Sequence, residues 1–99
     1  SAASDVYKRQ AFRQLVLLHG VLFAAVWCFD FDAAVRMVLV GASFVSLITE
    51  LFNSAVEAVV DDISPEIRPL AKRAKDIGSA AQMVALVMVA VLWLIALSD

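Results

Sequence analysis

Three apolar runs, each long enough to cross a bilayer, take up most of this 99-residue chain. We place the corresponding spans at about 12–29, 33–60 and 77–97. A hydrocarbon core of about 30 Å needs about 20 apolar residues in a helix, so the second run is longer than a bilayer requires. The chain is 63% hydrophobic with a mean hydropathy of +0.87, far above an ordinary soluble domain. These features predict an all-α membrane protein with three transmembrane helices in each protomer.

Positive charges are concentrated on one side of the expected bundle. Basic residues precede the first span and lie between the second and third, whereas Arg36 alone falls near the opposite turn. By the positive-inside rule, the N-terminus and the 61–76 loop face the cytoplasm and the C-terminus lies outside. Trp27 and Trp93 then both fall near the outer interface, where aromatic belts occur. Two independent signals therefore predict the same orientation.

Two segments lie outside the expected spans. In the connection between the second and third spans, Ser64 before Pro65 can cap a short helix whose first turn carries Glu66. We interpret this connection as a short interfacial segment on the cytoplasmic side. Residues 1–10, SAASDVYKRQ, are neither amphipathic nor apolar, and we expect a flexible or non-native segment there. The three-span domain would then occupy residues 11–99.

Composition argues against several kinds of partner and site. The net charge is −2 and the 8 basic residues are too few and too dispersed along the chain to form a nucleic-acid-binding face, so we expect no nucleic-acid partner. A single cysteine, Cys28, excludes an intrachain disulfide and any multi-cysteine metal site. Neither GxxxxGK[ST] nor GxGxxG occurs, so a nucleotide site would have to be built without a standard phosphate loop. His19, in the first span, has no ionisable residue one turn away, and we expect it to hydrogen-bond a neighbouring helix.

Four polar residues share one face of the second span: Glu50, Asn53, Glu57 and Asp61. Spacings of three, four and four residues keep these side chains within an arc of about 80°. An ionised carboxylate near mid-bilayer costs about 2.5–3.5 kcal/mol, so this stripe indicates function. Glu50 suits a general base, and Asn53 and Glu57 offer the oxygen ligands that Mg²⁺ prefers, although Asn53 also fits a bond between helices. Asp61, at the membrane edge, is explained equally well by solvation.

A basic cluster meets small residues where the third span begins. Lys75 and Asp76 stand there, and Gly78 and Ser79 follow them. The N-terminus of a helix favours phosphate, and a glycine lets another chain or a nucleotide approach closely. A positive-inside anchor with small residues for helix packing would explain the same pattern. The nearby acidic stripe favours phosphate chemistry over that alternative.

The run ELFNSAVEAVVDDISPE, followed by PLAKRAKDIGSAA, closely resembles the prokaryotic integral-membrane diacylglycerol kinase family. With AFRQ at 11–14 the similarity covers nearly the whole chain from Ala11 onward. The resemblance implies a homotrimer in a bacterial inner membrane, with active sites shared between subunits. It also implies that MgATP phosphorylates a lipid hydroxyl at the cytoplasmic interface.

The same resemblance implies roles for individual residues. Glu50 would be the catalytic base toward the lipid hydroxyl, and Asn53 and Glu57 would serve the metal and the phosphates. Four residues at the start of the third span would contribute to the nucleotide site: Lys75, Asp76, Gly78 and Ser79.

Both the acceptor and the class of function have an alternative. The family includes undecaprenol kinases, whose equivalent helix start tends to lack the glycine–serine pair found here in IGSAA. That difference favours diacylglycerol as the acceptor. The alternative of another class is a non-enzymatic oligomeric channel or proton-coupled transporter, in which the acidic stripe would line a pore.

One part of the sequence departs from the family pattern. Family members carry an amphipathic N-terminal helix and an acidic residue shortly before the AFRQ-like segment, which helps to hold the metal. Here Lys8, Arg9 and Gln10 stand in that place, and Leu15 replaces a residue that is often polar or acidic. We interpret residues 1–10 as a cloning or assembly artefact, which sequencing of the source gene across this junction would test.

Overall fold

Three long helices form the part of the chain that the computed structural model describes, residues 2–63 and 69–98. Helix α1 spans Ala2–Cys28, α2 spans Ala33–Ile63 and α3 spans Pro69–Ser98. Each contains a stretch long and apolar enough to cross a membrane. The prediction of an all-α membrane protein with three transmembrane helices is confirmed.

The helices continue beyond the apolar spans at the end of the bundle where α2 stops and α3 starts. Pro69 is the first residue of α3, a position at which the fixed φ and missing N–H of proline are tolerated. The residues that follow favour a helix, so α3 continues without a break into the third span. The expected short interfacial helix depends on Ser64, Pro65 and Glu66, which lie outside the residues that the structure describes. Helix α1 includes residues 2–10, and their non-native origin stays a prediction.

Helix α2 is the central element of the bundle. Helix α3 packs along much of its length, whereas α1 packs on it less extensively. A buried apolar cluster lies toward the α1–α2 turn and is formed by Val26, Leu39, Ala42, Val89 and Trp93. Most of the other large apolar side chains are exposed on the single protomer, as a surface that meets lipid requires. This packing leaves α2 as the helix against which both neighbours are positioned.

Arg36 stabilises the turn between α1 and α2. Its Nε and Nη2 atoms donate hydrogen bonds to the carbonyl oxygens of Val26 and Phe29, at 3.3 and 3.1 Å. Its guanidinium carbon also lies 5.0 Å from the centre of the Trp27 ring. The last carbonyls of a helix have no partner within the helix, and a cation there complements the helix dipole. Arg36 therefore anchors the end of α1 to the start of α2.

Candidate active site

The acidic stripe expected on α2 lies on one uninterrupted helix. Because α2 is continuous from Ala33 to Ile63, the spacing of Glu50, Asn53 and Glu57 places them on a common face. Asn53 is buried, with 8% of its surface exposed, whereas Glu50 and Glu57 are half-buried. The stripe therefore passes from the interior of the bundle toward the end where α3 begins.

Asn53 lies directly against Gly78 of α3. A Cβ atom built on Gly78 would overlap Asn53 Oδ1 and lie 3.2 Å from its Cγ. Asn53 Oδ1 is buried and has no hydrogen-bond partner among the residues that the structure describes. The absence of a side chain at Gly78 thus lets α3 approach α2 closely at this level. The close neighbour of Gly78 is Asn53 of the same chain, and the expected approach of another chain or a nucleotide at Gly78 stays a prediction.

Lys75 and Asp61 join the start of α3 to the end of α2. Lys75 Nζ lies 2.5 Å from Asp61 Oδ1, and the two side chains are 41% and 49% exposed. An ion pair exposed to this degree contributes at most about 1 kcal/mol to stability, so the lysine can exchange partners at little cost. Asp61 is therefore exposed, as expected for the membrane edge, and is also paired with a residue predicted for the nucleotide site.

Asp76 and Ser79 complete the set predicted on α3. They stand on either side of Gly78 in sequence, and both are exposed on the protomer. The structure thus places Lys75, Asp76, Gly78 and Ser79 within one stretch of helix that faces the end of α2. Of these four, Lys75 and Gly78 contact residues of α2.

The donor set of this region suits a sparsely ligated Mg²⁺. Within residues 2–63 and 69–98, no group of three or more histidine, cysteine, aspartate or glutamate side chains is arranged to hold a metal ion. Asn53 offers an amide oxygen that lacks a donor, and Glu57 offers a carboxylate one turn further along α2. Mg²⁺ binds few protein ligands and fills its octahedron with water and substrate phosphates. The chemistry of the two side chains therefore fits that ion.

A basic-rimmed apolar groove runs between α1 and α2 beside this region. Its walls include Phe12, Leu17 and Leu51, and Arg9 and Arg13 also line it. Ser54, which also lines the groove, lies four residues after Glu50 on α2, so the groove adjoins the face that carries the stripe. Apolar walls combined with two cations suit an amphiphile that has an apolar chain and a polar end.

The polar face of α2 extends further along the helix, toward the α1–α2 turn, than the predicted stripe of four residues. Ser43 and Ser46 precede Glu50 by seven and four residues and are both buried. His19 of α1 lies within hydrogen-bond distance of both hydroxyl groups, at 3.3 Å from Ser43 Oγ and 2.9 Å from Ser46 Oγ. The prediction that His19 hydrogen-bonds a neighbouring helix is confirmed. The alternating spacing of three and four residues from Ser43 to Glu57 is the signal that would have included both serines.

Three apolar helices with carboxylates, an amide and a lysine gathered at one end define an integral membrane protein with a polar site at the bundle end. The sequence model of prokaryotic diacylglycerol kinase matches residues 3–97. The chain therefore belongs to the prokaryotic diacylglycerol kinase family, and it is a lipid kinase.

Similar proteins carry names that match this family. The diacylglycerol kinase of Pseudomonas aeruginosa is 49% identical over 83 residues, covering 84% of this chain and 68% of that protein. The diacylglycerol kinase of Escherichia coli K12 is 44% identical over 89 residues, covering 88% and 71%. The diacylglycerol kinase of Helicobacter pylori strain 26695 is 38% identical over 88 residues, covering 87% and 67%.

Proposed function

We propose that this lipid kinase transfers the γ-phosphoryl group of MgATP to the hydroxyl group of diacylglycerol, which yields phosphatidic acid and ADP. The single observation that carries the proposal is the polar face of α2, on which Glu50, Asn53 and Glu57 follow one another toward Lys75. The acceptor is supported by the names of the similar proteins, each called a diacylglycerol kinase. The IGSAA element at the start of the third span supports the same acceptor over undecaprenol.

Glu50 is the proposed catalytic base. The lipid oxygen forms a bond to the γ-phosphorus, the bond from that phosphorus to the bridging oxygen of ADP breaks, and the hydroxyl proton passes to the Glu50 carboxylate. Glu50 lies deeper along α2 than Glu57, so it suits an alcohol presented from the membrane while the phosphates remain nearer the surface. General-base assistance of this kind contributes about 10²–10⁴-fold to a rate.

Asn53 and Glu57 are the proposed protein ligands of Mg²⁺. This assignment is supported by the amide oxygen of Asn53, which accepts no hydrogen bond from the described residues, and by the carboxylate of Glu57 one turn further along α2. When bound, the ion would offset the negative charge of the phosphates during transfer. Glu57 would keep the phosphate end of the nucleotide at the bundle end, and Asn53 would link that end to the level of Glu50.

Lys75 is the proposed cation for the ATP phosphates. Its exposed pair with Asp61 is weak enough to be replaced by a stronger contact with phosphate. Asp76, Gly78 and Ser79 would form the adjoining part of the nucleotide site at the start of α3. The groove between α1 and α2 would receive the acyl chains, and Arg9 and Arg13 would face the headgroup region.

The proposed assembly is a homotrimer with shared active sites in the bacterial inner membrane. The small donor set within the described part of one protomer supports a site that a neighbouring subunit completes. Exposed apolar faces on the helices offer area for contacts between subunits as well as with lipid. The distribution of basic residues supports a cytoplasmic location for the N-terminus and the 61–76 segment, with the C-terminus outside.

A lipid-labelling assay tests this proposal. Purified protein in mixed micelles receives ATP labelled in the γ-phosphoryl group, with either diacylglycerol or undecaprenol as acceptor. We expect Mg²⁺-dependent label in diacylglycerol and little in undecaprenol. Preferential labelling of undecaprenol would contradict the acceptor assignment. Label in neither lipid, together with ion flux in liposomes without ATP, would support the channel or transporter alternative.

A further inference from the structure

Buried polar side chains from all three helices meet one turn along α2 from Glu50. The members of this polar cluster are His19, Ser43, Ser46 and Gln82, with exposed fractions of 3%, 7%, 0% and 8%. His19 Nε2 lies 2.9 Å from Ser46 Oγ and its Nδ1 lies 3.3 Å from Ser43 Oγ. A neutral imidazole has one donor and one acceptor nitrogen, and a hydroxyl can take either role, so both ring nitrogens are satisfied in either tautomer.

The bond between His19 and Ser46 is the strongest link in this cluster. Gln82 Nε2 reaches Ser46 Oγ only at 3.5 Å, the outer limit for a hydrogen bond, and Gln82 Oε1 has no partner among the described residues. A contact at that distance is much weaker than one at 2.9 Å. The cluster therefore fixes α1 against α2 firmly, whereas it holds α3 only loosely.

His19 is also one of the buried side chains through which α1 packs on the bundle. Among the residues of α1 whose burial the structure describes, His19 and Val26 are the buried ones. Helices in lipid gain no hydrophobic driving force by associating, so packing and interhelical hydrogen bonds hold them together. Val26 belongs to the apolar cluster near the α1–α2 turn, which leaves His19 as the buried contact of α1 closer to Glu50. At this level of α1, His19 is thus the buried side chain, alongside the half-buried Phe12 and Leu15.

Glu50 lies between two points at which α2 is fixed. Ser46, four residues before it, is held by His19, and Asn53, three residues after it, is packed against Gly78. All three residues share one face of a continuous helix. A shift or rotation of α2 at Ser46 would therefore be carried to the Glu50 carboxylate. Displacements of about 1 Å far from the chemistry can lower rates by about 100-fold.

We infer that His19 is a positioning residue for phosphoryl transfer: by bonding Ser46 and Ser43 it fixes α1 on α2 and orients Glu50 toward the lipid hydroxyl. The inference rests on the proposed role of Glu50 as the base. We expect His19 to touch neither nucleotide nor lipid and to act through Ser46. Its loss should therefore lower kcat and leave the KM for ATP almost unchanged.

Four variants test the inference in the mixed-micelle assay with diacylglycerol. His19→Leu removes both hydrogen bonds at similar volume, Ser46→Ala removes the stronger one, and His19→Gln retains a polar group that can reach a hydroxyl. Val26→Ala is the matched control, since it reduces the other buried contact of α1 at the far end. For each variant, kcat, the KM for ATP and for lipid, and the melting temperature in detergent are measured.

We expect kcat to fall about tenfold or more in both His19→Leu and Ser46→Ala, with the KM for ATP within about twofold of the parent. His19→Gln should retain most of the kcat of the parent protein, in contrast to His19→Leu. Val26→Ala should lower the melting temperature without the fall in kcat that is expected for His19→Leu. If His19→Leu does not fold, the kcat values of Ser46→Ala and His19→Gln still test the positioning role of His19. Parent-like kcat in Ser46→Ala, or an equal loss in Val26→Ala, would overturn the inference.

A Glu50→Gln variant assayed in parallel separates this inference from the proposed function. Full activity in Glu50→Gln would refute the base assignment, whatever the His19 variants do. A strong loss in Glu50→Gln together with parent-like kinetics in both His19→Leu and Ser46→Ala would leave the base assignment standing and reject His19 as a positioning residue.

Discussion

Asn53 and Gly78 face each other across the α2–α3 interface so closely that a methyl group on Gly78 would overlap the amide oxygen of Asn53. This contact sets the distance between the helix that carries the acidic stripe and the helix that carries Lys75. The glycine is therefore required by packing within the protomer, in addition to any contact with nucleotide. Its position beside a proposed Mg²⁺ ligand couples the packing of α3 to the geometry of the site.

Gly78→Ala should lower both stability and activity, because the added methyl forces Asn53 or α3 to move. Overpacking of this kind typically costs about 1–3 kcal/mol. Thermal unfolding in detergent and the lipid-labelling rate measure the two effects. Gly20→Ala is the control, since a Cβ at Gly20 has nothing within 4 Å in the protomer. Equal behaviour of the two variants would show that the Asn53 contact does not limit the site.

Lys75→Gln should raise the KM for ATP about tenfold or more, because it removes a cation proposed to bind phosphate. Asp61→Asn removes the other member of the ion pair and serves as the comparison. We expect it to change the free energy of unfolding by less than about 1 kcal/mol, because the pair is exposed. If Asp61→Asn weakened ATP binding as much as Lys75→Gln, the nucleotide role of the lysine would be in doubt.

Glu57→Gln should weaken Mg²⁺-dependent ATP binding, since a neutral amide is a poorer ligand for a hard divalent cation than a carboxylate. Titration of Mg²⁺ at fixed ATP should show half-maximal activity shifted to a higher metal concentration. Chelation of the metal should abolish turnover in the parent protein. An unchanged Mg²⁺ titration in the variant would remove Glu57 from the metal site.

Arg36→Met should destabilise the protein and leave the KM for ATP unaffected. The substitution removes two hydrogen bonds to the end of α1 and the contact with Trp27, which together suggest a loss of about 1–3 kcal/mol. The melting temperature in detergent measures the loss, and the ATP kinetics are the internal control. A parent-like melting temperature would mean that the anchoring of α1 by Arg36 contributes little.

The sequence predicted the helices and the stripe because both depend on local periodicity. The length of an apolar run can be compared with the thickness of a bilayer from one segment of the sequence alone. Polar residues that recur three or four positions apart are likewise visible within that segment. The common face of Glu50, Asn53 and Glu57 follows from that spacing alone. The hydrogen bond of His19 to a neighbouring helix was also predictable, because a buried imidazole in an apolar span needs a polar partner.

Contacts between residues of different helices were harder to predict from the sequence. Periodicity does not state which residue of α3 lies opposite Asn53, so the contact with Gly78 depends on the register of two antiparallel helices. The same holds for the pair of Lys75 and Asp61, whose members stand on either side of the connection between α2 and α3. Ser46 shares the spacing of the stripe but carries no charge to mark it as part of that face, so its bond with His19 was not predictable from the sequence.

The role of Glu50 is tested most directly by Glu50→Gln, which keeps the size of the side chain and removes its capacity to accept a proton. Transfer of the labelled γ-phosphoryl group to diacylglycerol and equilibrium binding of MgATP are measured on the same preparation. We predict that turnover falls by about 10²-fold or more while ATP binding is largely retained. Full turnover in the folded variant would contradict Glu50 as the catalytic base.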